Sequence, residues 1–345
     1  MKYTITQNLD DPRIIPFLLN DERASIYHHP FWIRSISKTF NHKPFYLLLE
    51  DDNNELLGLV PYIKLNNILR GKEVVSVPFS TFCNLLIPEG EFDNIFSFLV
   101  DKFGKQFTIE LRTLGNLHNS LPEFSHSPEY YNHTLYLSKD LETTFDGFHP
   151  RSVRGSIRRA QKNNLTVYKS SSECDLKIFY ELEFNLRKRI LLPTLPYSFF
   201  KNVLDLLSIA GLVNIYIVKK DSIPIAAAFV MNFKDTYYIE YAASDKKFIN
   251  LYPNHKLYWE IIKDAHNNGA NKVDFGRTSF DNKSLAIFKE KWGAQKKIIY
   301  FSYFPSKDLI LEKHTALKKI LTNINSHIPD PILKIEGKFL YHYLS

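Results

Sequence analysis

Cysteine is nearly absent from this 345-residue chain; there are two, Cys83 and Cys174. They lie far apart, so neither a disulfide framework nor a Cys-x-x-Cys metal pair can be built, and a reducing compartment fits. No apolar run approaches the roughly 18–20 residues that cross a bilayer. The opening MKYTITQNLDDP lacks the apolar core of an export signal. The expectation is a cytoplasmic protein without a transmembrane segment. The twelve histidines are scattered, with no His-x-x-x-His pair, so no metal site is expected. His28-His29 reads as a surface pair or a helix cap, and His255 as a cap at a helix start. A nucleophile elbow and a Walker loop are both missing, which removes two large enzyme classes.

What is present points to a folded, two-domain protein. A length of 345 residues suggests about two domains. A hydrophobic share of 44% and an aromatic share of 14% supply packed cores, and 23% charged residues give an ordinary surface. The formal net charge is +7 and the isoelectric point about 9.0. That excess suits a polyanion (tRNA, a nucleotide, a pyrophosphate-linked lipid or a membrane surface) or merely a lysine-rich surface, so its location must decide.

Strand and helix patterns alternate, which makes the chain α/β or α+β. Segments 45–50 (FYLLLE), 56–64, 74–77 and 85–87 read as strands. Apolar residues at helical spacing mark 92–103 as a helix, and 107–111 is again a strand. The second half repeats the order. Strands are expected at 214–219, 225–232 and 236–242, a helix at 254–267 closed by Gly269, and a strand at 272–275. Strand, turn, strand, strand, helix, strand thus occurs twice, about 165 residues apart. The expected domains are 1–140, 141–305 and a helical tail, 306–345, with the junction in 141–164.

Three segments could carry chemistry. In RSVRGSIRRAQK, expected to be helical from about Pro150, Arg151, Arg154 and Arg158 share one face and Arg159 and Lys162 a neighbouring one. Five cations with no acid among them suit phosphate oxygens, although charge runs are usually solvated helix faces. Arg187, Lys188 and Arg189 end an apolar-periodic helix, where the dipole alone would favour them. In VDFGRTSFDNKSLAIFKEKWGA, a strand ends at Asp274-Phe275 and Gly276 permits an unusual turn. Arg277, Thr278 and Ser279 then lie at the strand's carboxyl end. Asp274 either orients Arg277, accepts a proton, or simply holds the turn.

DFGRTS followed by FKEKWGA resembles the C-terminal signature of the FemAB-related family. RSVRGSIRRAQKNNLTV, LRKRILLPTLPYSFF, HHPFWIRSISKTFNHKPFYLL, LGLVPYIK and SVPFSTFCN are similar to further family segments in the same order, covering about residues 25–305. The resemblance implies two tandem GNAT-like domains, each a mixed central sheet flanked by helices, with the active cleft mainly in the second. Family members transfer an acyl group to an amine; the bridge-forming ones use aminoacyl-tRNA and a cell-wall precursor. The family's catalytic Phe-Lys pair maps onto Phe288 and Lys289. The long coiled-coil arm of some members has no counterpart between 175 and 211. The Gln/Arg-x-x-Gly-x-Gly/Ala loop that binds acetyl-CoA pyrophosphate is also missing.

The expected function is therefore N-acyl transfer to an amine of an envelope or polysaccharide precursor. Acyl-CoA or aminoacyl-tRNA would serve as co-substrate, with no tightly bound cofactor. Lys289 is expected beside the reacting carbonyl, with Phe288 fixing its position; Asp274 and Tyr241 are candidates for handling the amine proton. Arg277, Arg154, Arg158 and Arg187 are expected to bind substrate anions. Contact with the inner membrane face and with tRNA follows from the same reading. The alternative is a catalytically silent GNAT pair that holds a polyanion or an envelope precursor.

Overall fold

The computed structural model describes residues 1–67 and 71–305. The chain begins with β1 (Lys2–Thr6), α1 (Ile14–Asn20), α2 (Pro30–Phe40), β2 (Lys43–Glu50), β3 (Leu56–Asn67) and β4 (Gly71–Val75). It continues through α3 (Phe92–Phe103), β5 (Thr108–Leu114) and β6 (Ser125–Tyr136). Then come α4 (Leu141–Asp146), a π-helical turn at Pro150–Arg154, α5 (Gly155–Lys162), β7 (Leu165–Ser170), α6 (Glu173–Arg189) and α7 (Tyr197–Leu207). The last elements are β8 (Val213–Lys220), β9 (Ile223–Phe233), β10 (Thr236–Ser244), α8 (Pro253–Asn267), β11 (Lys272–Ser279), α9 (Lys283–Glu290) and β12 (Gln295–Phe304).

Local chemistry explains several of these boundaries. Ser172 caps α6 by accepting from Asp175 N, Glu173 and Asp175 occupy its first turn, and Arg187, Lys188 and Arg189 its last. Both ends therefore complement the helix dipole. Pro253 opens α8 at its first position, where a missing N–H costs nothing. Gly269, at φ +75, releases the chain from its far end. Val77 has φ +53, a conformation β-branched residues avoid, so β4 stops at Val75 and short of the expected 77. Segment 85–87 is not a strand; one isolated bridge joins Leu86 to Leu59.

Two compact units result: Met1–Tyr130 with the segment from Ile298, and Tyr131–Lys297. The first carries strands in the order β1-β2-β3-β4-β5-β12-β6, the second in the order β7-β8-β9-β10-β11-β6. In the first, β1 to β4 are antiparallel neighbours and β4 pairs parallel with β5. In the second, β7 to β10 are antiparallel and β10 pairs parallel with β11. Each unit is thus a mixed sheet flanked by helices, and the repeat read from the sequence is a repeat of fold. The units divide at Tyr130/Tyr131 and Lys297/Ile298 rather than at 140 and 305, because the chain leaves and re-enters the first unit within strands β6 and β12. The tail 306–345 lies outside the described residues.

The parallel ladders correspond residue by residue. Each has three pairs, ending at Val75–Glu110 in one unit and Tyr238–Asp274 in the other. Both terminal positions on the fifth strand are buried acids. In the first unit Arg112, two residues on, neutralises Glu110 at 2.6 Å. In the second the residue two positions on is Gly276, and the neutralising cation comes from elsewhere.

Candidate active site

Beyond Tyr238–Asp274, among the described residues, no further pair joins β10 to β11, although β10 continues to Ser244 and β11 to Ser279. A register irregularity falls at Glu240, between Ile239 and Tyr241, and Gly276 turns at φ +69. The N-terminus of α8 follows this end of β10 after a 3-10 turn, Lys246–Leu251. Carboxyl ends of parallel strands beside a helix start are a general ligand position.

The Asp274 carboxylate organises the turn. Its Oδ1 accepts from Gly276 N at 2.7 Å, and its Oδ2 from Asn132 Nδ2 at 2.7 Å and Thr134 Oγ1 at 3.4 Å. Burial raises its pKa while these donors and Lys289 pull it down. Lys289, on α9, is also buried. Its Nζ donates to Gly276 O at 2.9 Å and to Arg277 O at 3.1 Å. Burial lowers its pKa to about 8, opposed by the carboxylates of Asp274 and Glu240. His133, on β6, contacts Thr278 Oγ1 through Nδ1 at 3.4 Å, and burial followed by the Lys289 charge lowers its pKa to about 4.

The helix that delivers Lys289 is locked by aromatics. Phe288 packs edge-on against His255 and Tyr258, each at 5.7 Å. Fully buried Trp292 stacks on His255 at 5.8 Å and meets Phe148 edge-on at 5.2 Å. His255, expected only as a cap, is part of this packing, and burial lowers its pKa to about 4.

The other expected residues are distributed as follows. Arg277 is exposed at the β11 turn. Tyr241 lies on β10, packed edge-on against Phe200 at 5.0 Å. Arg154 and Arg158 face α4 instead of forming an open pair. Arg154 binds Asp146 at 2.6 Å, and the Arg158 guanidinium lies 5.9 Å from the Phe145 ring centre. Arg187 binds buried Glu183 at 2.5 Å. It is Arg159, on the neighbouring face, that reaches the start of α8, with Nη1 donating to Tyr252 Oη at 2.9 Å. The structure thus brings together Asp274, Phe288, Lys289 and Arg277 around the β11 turn.

Asn132, His133, Thr134 and Glu240 were not anticipated. The strand SHSPEYYNHTLY shows no apolar alternation and contains Pro128, which argues against an ordinary strand. The available signal was Asn132 and Thr134 at a spacing of two, placing both on one face of an extended segment.

A pH prediction follows from Lys289. Below about pH 8 it is cationic and above it neutral, so a step that uses its charge slows as pH rises through about 8. The descending limb of kcat/KM is expected near pH 8 and should move out of range in Lys289→Arg, whose charge persists. An unchanged limb in that variant would assign it to another group.

This site sits in one of two units with the GNAT topology, and comparison with known proteins agrees. The family model described as an acetyltransferase (GNAT) domain matches residues 150–284. A lipid II:glycine glycyltransferase of Staphylococcus saprophyticus is 23% identical over 313 residues, covering 69% of this chain and 72% of the relative. The same enzyme of Staphylococcus aureus is 31% identical over 97 residues, 26% of this chain and 23% of the relative. The crystal structure of FemX superposes with a TM-score of 0.72 at 18% identity, covering 88% of this chain and 97% of that one. A tandem GNAT protein from the clavulanic acid pathway gives 0.54 at 9% identity, covering 87% and 98%.

The fold is that of a tandem GNAT protein, and the second unit carries the matched GNAT domain. Within that class the chain is similar to FemAB-type proteins, the lipid II:glycine glycyltransferases and FemX.

Proposed function

We propose that the chain transfers an aminoacyl group from aminoacyl-tRNA to an amine of a cell-envelope or polysaccharide precursor. The observation that carries this is the buried Lys289 ammonium, fixed beside the turn where β10 and β11 part. The acceptor amine, deprotonated, attacks the ester carbonyl. A C–N bond forms, the oxygen gathers negative charge, and the C–O bond breaks as the ribose hydroxyl leaves with a proton. Lys289 supplies the cation for the growing oxyanion; Phe288 and Trp292 hold α9 so that it stays there. Asp274 has both oxygens engaged and acts by positioning the turn. Tyr241, on the opposite strand, is the candidate for contact with the amine.

Two features favour an RNA ester over a CoA thioester. The pyrophosphate loop is missing from the sequence. The segment between β10 and α8 is a 3-10 turn, Lys246–Leu251, with amides engaged within the turn and its caps. Lys247 N donates to Asp245 Oδ1 at 2.9 Å, Phe248 N to Asp245 O at 3.1 Å and Tyr252 N to Ile249 O at 3.0 Å. Arg277, Arg158 and Arg159 are proposed to meet donor or acceptor phosphates. Arg154 would join them by exchanging Asp146, an exposed partner that holds it weakly. Arg187 keeps its buried Glu183 as its partner.

The test is ligand-dependent stabilisation and transfer with charged tRNAs and acyl-CoAs side by side. A ligand at 100 times its Kd adds about 2.7 kcal/mol. Charged tRNA is expected to stabilise the protein, and about four phosphate contacts should weaken its binding roughly 100-fold between 50 and 200 mM salt. Stabilisation by one acyl-CoA alone would replace the proposed donor. Tight precursor binding with no transfer from any donor would make the protein a silent GNAT pair.

A further inference from the structure

At one end of the second unit's sheet, exposed aliphatic side chains and cations occur together. The registers define that end. Ser244 of β10 pairs with Ala226 of β9, and Ala226 with Val218 of β8. The β8–β9 turn therefore lies at the carboxyl end of β10, as does the connection from β10 into α8. The connection from α6 to α7 lies there too. Strand β7 points away from that end as it enters α6, and β8 starts from the far end after α7. Helix α6, 17 residues and about 25 Å long, packs along β8, β9 and β10 and so carries its C-terminus back to it.

Each of these three connections exposes a large aliphatic residue beside basic ones. Ile190 and Leu191 are 47% and 38% exposed after Lys188-Arg189; Ile223 is 54% exposed after Lys219-Lys220; Ile249 is 46% exposed after Lys246-Lys247. The same short segments hold two acids. Asp221 touches Lys220 at 3.4 Å, and Asp245 caps its own turn. Leu191 has φ +56, an unusual conformation for a bulky residue, and one that strained functional loops tolerate. Ile209, more exposed still at 76%, lies at the opposite end between Ser208 and Ala210 with no cation beside it. Exposed aliphatics are thus paired with cations at the cleft end and not at the other.

We infer that this end of the second unit docks on a bilayer surface rich in anionic headgroups. The aliphatic tips enter the headgroup–acyl boundary while the lysines and arginines meet phosphates, the pattern of an interfacial anchor. RNA would take the cations but offers nothing for four aliphatic tips, which favours lipid. Each cation near an anionic leaflet contributes about a five-fold gain in binding. The β10/β11 divergence opens at the same end, so docking would turn the cleft toward a lipid-linked acceptor. That consequence rests on the proposed transferase reading, but docking itself does not.

The test is sedimentation of the full chain with phosphatidylcholine vesicles, with and without 30% phosphatidylglycerol, at 50 and 500 mM salt and without substrate. Binding is expected only with phosphatidylglycerol and to weaken at high salt. Ile190→Ser/Leu191→Ser/Ile249→Ser should lower it at least ten-fold at an unchanged Tm, Lys246→Glu/Lys247→Glu should lower it similarly, and Ile209→Ser should leave it intact. Two separate substitution sets keep the question open to an answer if one of them unfolds. No binding to anionic vesicles, equal binding by both multiple variants, or equal loss in Ile209→Ser would overturn the inference. Lysine-dependent binding of a tRNA without vesicle binding would reassign the surface to RNA. Vesicle binding without transfer would remove the proposed function alone, and transfer without vesicle binding this inference alone.

Discussion

Lys289→Met is expected to lower kcat/KM by about 100- to 1,000-fold, the usual loss when one preorganised oxyanion stabiliser is removed. The substitution retains length in a site that is only 4% exposed, so it opens little cavity. It removes the charge and the two bonds to the carbonyls of Gly276 and Arg277. Asp274 keeps Asn132, Thr134 and the Gly276 amide as donors and can take a proton, so the fold is expected to persist. The measurement pairs steady-state transfer with thermal melting. Retention of activity within a few-fold in a folded variant would remove Lys289 from the mechanism. Asp274→Asn separates the roles: it replaces an acceptor of three bonds with a group that can accept fewer, so the Lys289 position should shift and activity fall without loss of the cation.

Trp292→Ala should destabilise the second unit by about 3–5 kcal/mol, the range for removing a large buried aromatic. The ring is fully buried and touches side chains from several elements. Phe148 follows α4, His255 and Tyr258 lie on α8, Phe275 on β11 and Phe288 on α9. Its removal leaves a cavity where those elements meet, and only partial collapse is possible because β11 and α8 are fixed by the sheet. Urea unfolding followed by tyrosine and tryptophan fluorescence reads the effect. A loss below about 1 kcal/mol would mean the neighbours repack. Activity should fall with stability, since Phe288 and Lys289 share the helix that leans on this ring.

The architecture was legible where pattern and architecture coincide. Helix 92–103 appeared with its observed bounds because Ile95, Phe96, Leu99 and Phe103 bury one stripe. The repeat appeared because hairpins, crossover helix and closing strand each leave a periodic trace. Phe288, Lys289 and Asp274 came from a motif and do converge. Strand β6 left no such trace: Pro128 and a run of polar and aromatic residues hide its extended form, and with it Asn132, His133 and Thr134. The basic helix misled in one respect. Helical spacing alone groups Arg154 with Arg158, but the π-helical turn adds a residue to the first turn, and α4 presents Asp146 and Phe145 to them. Charge pairs formed by residues outside a segment cannot be seen in that segment.

The sheet order of the first unit has a consequence for synthesis on the ribosome. Strand β5 ends at Leu114, but its neighbour β12 ends at Phe304. At about 5–20 residues per second, the edge of β5 waits roughly 10–40 s for its partner. During that interval a strand with unmet amides and carbonyls faces the crowded nascent environment, the condition under which edges pair with the wrong chain. The second unit draws its pairing strands from 131–297 in one continuous stretch. It can therefore finish first, although the first unit leads the sequence, and a stop before residue 298 would yield a chain whose leading unit can never close.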